Sequence, residues 1–277
     1  MVFFYGGSCG EYGDGVISRL KELGVEIVVL TYSYKPPIGF SRTFGNQMFI
    51  FDILDWISVS SSDFESWCVL DSDCLILGDL SGMWSDVGKY GVLTYDLGLP
   101  VGEGINGIDQ NDLTMICVQE GWGGGTGLAH YFGGEYFCAT AVAIKAGKAL
   151  YRNVLEKSYS RWSSSLVHCT EEAHMLSCWY RSSGFPVGTA NSYIKRMWTG
   201  FRYNNRQPGD YERPIWHLPA EKRTGISYLF KYLKTCGSLD GLTISDFKAS
   251  VARYVGVPKR GIIKGVKDFW VKINEKI

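Results

Sequence analysis

Two carboxylates stand between two apolar runs in the segment Trp67-Cys68-Val69-Leu70-Asp71-Ser72-Asp73-Cys74-Leu75-Ile76-Leu77. Acidic side chains between hydrophobic segments are costly to bury unless something compensates their charge. At the end of a strand, side chains at positions i and i+2 leave the pleat on the same side, so Asp71 and Asp73 can share one hard cation. The segment therefore predicts a strand that ends at a metal site for a phosphorylated substrate. The alternative is a plain turn between two strands.

Length and composition indicate a globular chain. Its 277 residues and 45% apolar content fit one large domain, or one domain with a small appendage. No basic stretch precedes an apolar segment at the N-terminus and no run approaches 18 apolar residues, so we expect no signal peptide, no membrane span and a cytoplasmic location. The eight cysteines lack Cys-x-x-Cys spacing, which favours free thiols in a reducing compartment.

Charge is distributed unevenly along the chain. Residues 1–99 carry 5 Lys/Arg and 13 Asp/Glu, whereas residues 201–277 carry 15 Lys/Arg and 7 Asp/Glu. The net charge of zero thus hides an acidic first third and a basic last third. This asymmetry indicates an anionic partner near the C-terminal part, with a solvated basic helical surface as the alternative.

Strand and helix patterns alternate along the first half. Strands are predicted over 2–5, over 25–31, into Asp71 and over 90–95, with helices from Asp14 to Gly24 and over 42–57. Later, a strand is expected over 137–145 and helices over 147–160, over 170–183 and from 224 onward, with Thr243 or Ser245 capping one helix and Pro258 opening the last. The pattern predicts an α/β fold with a mixed, mostly parallel sheet flanked by helices. The Gly-, Asn- and Asp-rich residues 96–128 predict a long functional or mobile loop.

A second chemical signal lies in Ile215-Trp216-His217-Leu218-Pro219-Ala220-Glu221-Lys222-Arg223. A histidine after an apolar pair can supply a further metal ligand, and a lysine five residues later can bind a phosphate. The alternative is a partly buried, structural histidine.

Taken together, the two segments resemble the GT-A glycosyltransferases, in particular the branch of glycogenin and the bacterial lipooligosaccharide galactosyltransferases. In that family a strand of the type Val-Leu-Asp-x-Asp-x-Leu-Ile ends in the metal-binding carboxylates, a late histidine completes the metal site, and a lysine just beyond binds the nucleotide diphosphate. The resemblance implies that Asp71, Asp73 and His217 bind Mn²⁺ or Mg²⁺ and that Asp71 and Lys222 bind the donor. It also implies a GT-A (Rossmann-like) catalytic domain over 1–223 and a helical C-terminal extension over 224–277.

Weaker matches extend this resemblance to the donor. Tyr5, at the end of the first strand, is implied as a stacking partner of the nucleobase. Arg42 stands before a predicted helix, where the family often has a basic residue that touches the nucleotide or a carboxylate.

Other weak matches concern the acceptor side. Gly133 and Gly134, in Phe132-Gly133-Gly134-Glu135-Tyr136-Phe137, stand where the family has an aromatic-Asn-x-Gly segment, although the Asn is missing. Glu171 and Glu172 resemble the family's acidic pair at a helix start, implied as a base on the acceptor hydroxyl or as its orienting group. Adjacent helix residues diverge by about 100°, so only one of the two is expected to face the site. The alternative is a pair of carboxylates favoured there by the helix dipole.

The resemblance implies a metal-dependent enzyme that transfers a hexose from a nucleotide-diphosphate sugar, UDP-linked by preference, to a hydroxyl of a glycan, a lipid-linked or another acceptor. The alternatives are a viral-type glycosyltransferase of DNA bases, a nucleotidyltransferase and a non-catalytic nucleotide-sugar-binding protein. The last helix, 258–277, combines an apolar stripe with lysines, so it either contacts an anionic membrane or packs on the domain with its lysines solvated. The sequence contains no nucleic-acid-binding motif.

Overall fold

The computed structural model describes residues 1–6, 10–40, 46–123, 127–164, 167–200, 203–236 and 243–274. Its strands are β1 (Val2–Tyr5), β2 (Glu26–Val29), β3 (Ser66–Leu70), β4 (Cys74–Ile76), β5 (Val92–Leu93), β6 (Tyr136–Thr140), β7 (Ile194–Arg196) and β8 (Ile215–His217). Its helices are α1 (Gly10–Glu22), α2 (Phe49–Ser60), α3 (Ser81–Tyr90), α4 (Gln110–Gln119), α5 (Ala141–Arg161), α6 (Glu172–Ser183), α7 (Gly225–Cys236), α8 (Ile244–Val255) and α9 (Ile262–Asn274). Strands and helices alternate, so the predicted α/β class is confirmed.

The strands form three small sheets with the orders β1-β2, β3-β6-β5 and β4-β8-β7. Strands β1 and β2 are parallel, while β5 and β6 are antiparallel. Strand β8 pairs antiparallel with β4 and parallel with β7. The sheets are therefore mixed, as predicted.

The chain forms two compact units. The first comprises Met1–Trp67, Tyr90–Gly134 and Cys138–Val187. Its helix α5 packs against both α2 and α6, and α4 packs against α6. Gly147 permits the close approach of α5 to α6, because a Cβ there would overlap the ring of the fully buried Trp179. The core of this unit is built largely by helices packed on helices.

The second unit comprises Cys68–Lys89, Glu135–Phe137 and Gly188–Ile277. Its buried cluster joins Trp216 of β8, Leu229 of α7 and Val255 of α8. Thr243 is the N-cap of α8, since its hydroxyl accepts a hydrogen bond from the Asp246 N–H at 3.1 Å. Helices α7 and α8 therefore share a core with the strand that carries His217. The functional division at residue 223 stays a prediction.

The register of β8 brings together residues that are far apart in sequence. Cys74, which follows Asp73, lies opposite His217 on one side of β8, and Arg196 lies opposite His217 on the other. The Leu218 N–H donates to the Asp73 carbonyl at 3.1 Å. Backbone pairing thus fixes His217 beside the carboxylate segment.

Helix α9 has two contrasting sides. Ile262, Val266, Phe269 and Trp270 lie one or two turns apart and are 52–87% exposed. Lys264, in contrast, is buried. Among the described residues, no helix has both the length and the apolar character needed to cross a membrane. Contact of α9 with a membrane surface stays a prediction.

Several predicted boundaries are wrong. Of the helix expected over 42–57, residues 42–45 lie outside the described residues. Residues 46–48 form a turn, in which Asn46 has low helix propensity, and α2 begins at Phe49. The strand expected over 137–145 ends at Thr140, whose hydroxyl caps α5 by accepting from the Ala143 N–H.

The predicted loop over 96–128 contains helix α4. Asp109 begins it with a reciprocal capping box: its carboxylate accepts from the Asp112 N–H, and the Asp112 carboxylate accepts from the Asp109 N–H. The sequence analysis missed α4, because it interpreted residues 96–128 by their Gly, Asn and Asp content alone.

Candidate metal and diphosphate site

Two carboxylates, an imidazole and an ammonium group meet where β3 and β8 end. Asp73 Oδ1 lies 3.3 Å and Asp71 Oδ2 lies 4.0 Å from His217 Nε2. Lys222 Nζ lies 3.1 Å from Asp73 Oδ2. One ligand atom each from Asp71, Asp73 and His217 lies within 4.8 Å of the other two. The structure thus brings together the four residues that the two motifs singled out.

The four side chains differ in exposure. The Asp73 side chain is 1% exposed and that of His217 is 7% exposed. The side chains of Asp71 and Lys222 are each 55% exposed. The inner side of the site is therefore buried, and its outer side faces solvent and is accessible to a charged ligand.

Glu135 and Arg196 complete the site, and the sequence analysis missed both. Glu135 Oε1 lies 3.1 Å from His217 Nδ1. Arg196 donates to both oxygens of Glu135, with its Nε 2.7 Å from Oε1. A carboxylate on the far nitrogen of a ligating histidine fixes the ring orientation. The signal was a lone acid before the apolar run of β6, the pattern that identified Asp71.

The site contains three acidic and three basic side chains, so their charges balance. Burial lowers the pKa of His217, but its contacts with Asp73 and Glu135 outweigh this effect and raise that pKa to about 9. Burial raises the pKa of Glu135, but Arg196 and His217 outweigh it and lower that pKa to about 2. In the absence of metal, His217 is therefore protonated at neutral pH and compensates the buried Asp73.

The donor set fits a divalent cation. Within the described part of the chain, neither buried oxygen of Asp73 accepts a hydrogen bond of good geometry, and its contacts with His217 and Lys222 are ion pairs. Two carboxylates suit Mg²⁺ or Mn²⁺, and the imidazole favours a transition-metal ion. The residues present therefore fit a divalent cation.

In the first unit, Glu171 is held in place at the start of α6. Asn106 Nδ2 donates to Glu171 Oε2, and His174 Nε2 lies 3.2 Å from Glu171 Oε1. The Thr170 N–H donates to His174 Nδ1, which leaves the ring proton on Nε2. Burial lowers the pKa of His174 to about 3, so the ring is neutral. Glu171 is thus a well-anchored, buried carboxylate.

Glu172 points to a different neighbour. A Cβ at Gly134 would lie 2.5 Å from Glu172 Oε1, so the glycine makes room for this carboxylate. The two glutamates therefore have separate surroundings, because Glu171 is the extended N-cap residue and Glu172 is the first residue of α6. Which of them faces the acceptor stays a prediction.

For the other residues predicted to contact the donor, the structure gives only their position in the backbone or no description. Tyr5 ends β1, and the Gly133 N–H donates to the Tyr95 carbonyl at 2.9 Å. Arg42 lies outside the described residues. Their roles at the donor stay predictions.

Of the comparisons with known proteins, only that with solved structures finds matches. No family model and no curated protein matches the chain. The galactosyltransferase LgtC in complex with donor and acceptor sugar analogs matches with 13% identity and a TM-score of 0.48, covering 96% of this chain and 88% of that one. An active-site mutant of LgtC matches with 15% identity and a TM-score of 0.49, covering 89% and 88%. Mouse xyloside xylosyltransferase 1, in its apo form, matches with 10% identity and a TM-score of 0.42, covering 79% and 85%. These proteins are glycosyltransferases, the class that the sequence motifs resemble.

The ion pairs of His217 make stability depend on pH. With a pKa of about 9 in the folded protein against an ordinary 6.5, the imidazolium stabilises the metal-free fold fully below pH 6.5, and this contribution is lost as pH rises through 9. In EDTA, the wild type should therefore lose about 2–4 kcal/mol of unfolding free energy relative to His217→Gln as the pH rises from 6.5 to 9. Urea titrations at several pH values measure it. A pH-independent difference would show that folding does not raise the pKa of His217.

Proposed function

We propose that this chain is a divalent-metal-dependent glycosyltransferase that transfers a hexose from a nucleotide-diphosphate sugar, preferably a UDP-sugar, to an acceptor hydroxyl on a glycan or a lipid-linked acceptor. The observation that carries the proposal is the meeting of Asp71, Asp73 and His217 with Lys222. A divalent cation bound by these three residues would lie directly beside a half-exposed ammonium group. A diphosphate is the ligand that needs both.

The chemistry of glycosyl transfer explains this pairing. When the bond between the sugar and the nucleoside diphosphate breaks, negative charge develops on the leaving phosphate. Bound at Asp71, Asp73 and His217, Mn²⁺ would act as a Lewis acid towards that charge. Lys222 would hold the same diphosphate from the protein side, stabilising the transition state more than the ground state. Glu135 would hold the His217 ring in its ligating orientation.

For the acceptor side we assign different roles to the two glutamates. Glu171 is saturated by Asn106 and His174, which suits a positioning carboxylate. Glu172, which lies over Gly134, is the better candidate to orient or deprotonate the acceptor hydroxyl.

A nucleotidyltransferase would also pair carboxylates around Mg²⁺ and would use a further carboxylate on an adjacent strand. Glu135 precedes β6, the neighbour of β3, and so occupies a suitable position. However, Arg196 binds both of its oxygens and His217 contacts one of them. Glu135 is therefore engaged in holding His217, which favours glycosyl transfer.

Metal-dependent binding of UDP tests the proposal. We expect UDP with Mn²⁺ to raise the melting temperature of the wild type, since a ligand at about 100 times its dissociation constant adds about 2.7 kcal/mol of stability. EDTA should remove the shift, and Asp73→Asn should not show it. Differential scanning fluorimetry measures this.

The matched control is Glu156→Gln, which changes the same charge on an exposed face of α5 and should behave as wild type. A metal-dependent shift that survives in Asp73→Asn would exclude Asp73 from the metal site. If no nucleoside diphosphate stabilises the wild type, the proposed function is wrong.

Substitution of each glutamate separates the two roles. We expect Glu172→Gln to lower kcat by about 10²–10⁴-fold with little change in KM, since a general base contributes that much. Glu171→Gln should chiefly lower the melting temperature, because Asn106 and His174 lose their charged partner. Steady-state kinetics and thermal unfolding of both variants check the assignment, and the opposite ranking would exchange the roles.

A further inference from the structure

The turn that carries Lys222 is tied to the C-terminal helix by a buried ion pair. Glu221, which directly precedes Lys222, is 2% exposed, and Lys264 of α9 is 5% exposed. Lys264 Nζ donates to Glu221 Oε2 at 2.8 Å. A buried lysine is rare unless it is paired, so this contact is a specific feature of the fold.

Glu221 is saturated by donors from three further residues. The Thr199 hydroxyl donates to Oε1, while the Thr224 hydroxyl and the Gly225 N–H donate to Oε2, each at 2.8 Å. A Cβ at Gly225 would overlap Oε2, so the glycine is needed at this position. The carboxylate therefore holds both ends of the turn that contains Lys222.

Other contacts fix Lys264 and the start of α9. Lys264 Nζ also donates to Asp268 Oδ1 at 2.5 Å, and Arg260 Nε lies 3.4 Å from Asp268 Oδ2. Arg260 donates to the Thr199 carbonyl. Both sides of the ion pair are thus part of one connected polar network, in which each buried charge has partners.

We propose that Glu221 and Lys264 are positioning residues for Lys222, so that α9 forms part of the donor diphosphate site. The inference rests on the proposed function, because it gives Lys222 the diphosphate as its ligand. The Lys222 side chain is half exposed and contacts Asp73, so the backbone of the turn and this ion pair together set its place. Without Lys264, the Glu221 carboxylate loses its only described cationic partner, and the turn loses its tie to α9.

A double-mutant cycle on UDP affinity tests this role. In the presence of Mn²⁺, Lys264→Met should weaken UDP binding by about tenfold, the loss typical of one charged hydrogen bond. In a Lys222→Met background the same substitution should have no further effect, because the residue through which it acts is gone. Affinity for Mn²⁺ alone should not weaken, since Asp71, Asp73 and His217 remain. Isothermal titration calorimetry measures both affinities.

Two further variants sharpen the result. Lys259→Met removes an exposed lysine just before α9 and should bind UDP as wild type does. Thr224→Val removes one hydrogen bond to Glu221 and should weaken UDP binding less than Lys264→Met, with the same cancellation in the Lys222→Met background. Thr224→Val also serves as the test if Lys264→Met does not fold.

The outcomes separate the two proposals. Suppose that the wild type binds UDP in the presence of Mn²⁺. The positioning role is wrong, and the proposed function stands, if Lys264→Met and Thr224→Val bind UDP as well as the wild type does. The same conclusion follows if the effects of these substitutions add to that of Lys222→Met. If the wild type shows no Mn²⁺-dependent UDP binding, the proposed function is wrong and this inference falls with it.

Discussion

The buried carboxylate of Asp73 is the constraint on which the site depends. A charge that is 1% exposed must be compensated, and in the metal-free protein two cations do so, His217 at 3.3 Å and Lys222 at 3.1 Å. Glu135 orients the His217 ring and stabilises its protonated form, and Arg196 in turn compensates the charge of Glu135. The chain of alternating charges therefore holds the side chains of the proposed metal site in place. A divalent cation bound there would replace the proton on His217.

Backbone pairing makes this chain of charges possible. Strand β8 is only three residues long, yet it lies between β4 and β7 and so places His217 between Cys74 and Arg196. Helices α7 and α8 cover the same sheet, with Leu229 and Val255 packed in one cluster with Trp216. The C-terminal helices are thus part of the unit that builds the site. The contact of Lys264 with Glu221 extends this dependence to the turn that carries Lys222.

The sequence predicted those features that have a local chemical signal. Asp71, Asp73, His217 and Lys222 were identified because acids between apolar runs, and a histidine and a lysine after one, are unusual combinations. Arg196 was missed because its role depends on strand register, which the sequence does not show. Glu135 was missed although it has the same local signal as Asp71, an acid beside an apolar run. Lys264 was not distinguished from the other lysines of the last helix, since burial of a single basic side chain cannot be predicted from helical spacing.

In the fold, too, the features with a clear local signal in the sequence were predicted and the others were not. The α/β class follows from the alternation of patterns, and the Thr243 cap follows from one side chain and its neighbours. The start of α2 was misplaced, since the apolar spacing continues through the turn at 46–48. Helix α4 was missed, since the composition of residues 96–128 is that of a loop and the capping pair of Asp109 and Asp112 was not considered.

Cleavage of a donor sugar tests the central claim most directly. Purified protein would be incubated with a panel of UDP-, GDP- and TDP-hexoses and Mn²⁺, and release of the nucleoside diphosphate would be followed by phosphorus NMR. The account predicts slow, EDTA-sensitive release from a UDP-hexose even without an acceptor, and no release by Asp73→Asn. Binding of a UDP-hexose without any cleavage, with or without candidate acceptor glycans, would contradict it and would indicate a nucleotide-sugar-binding protein.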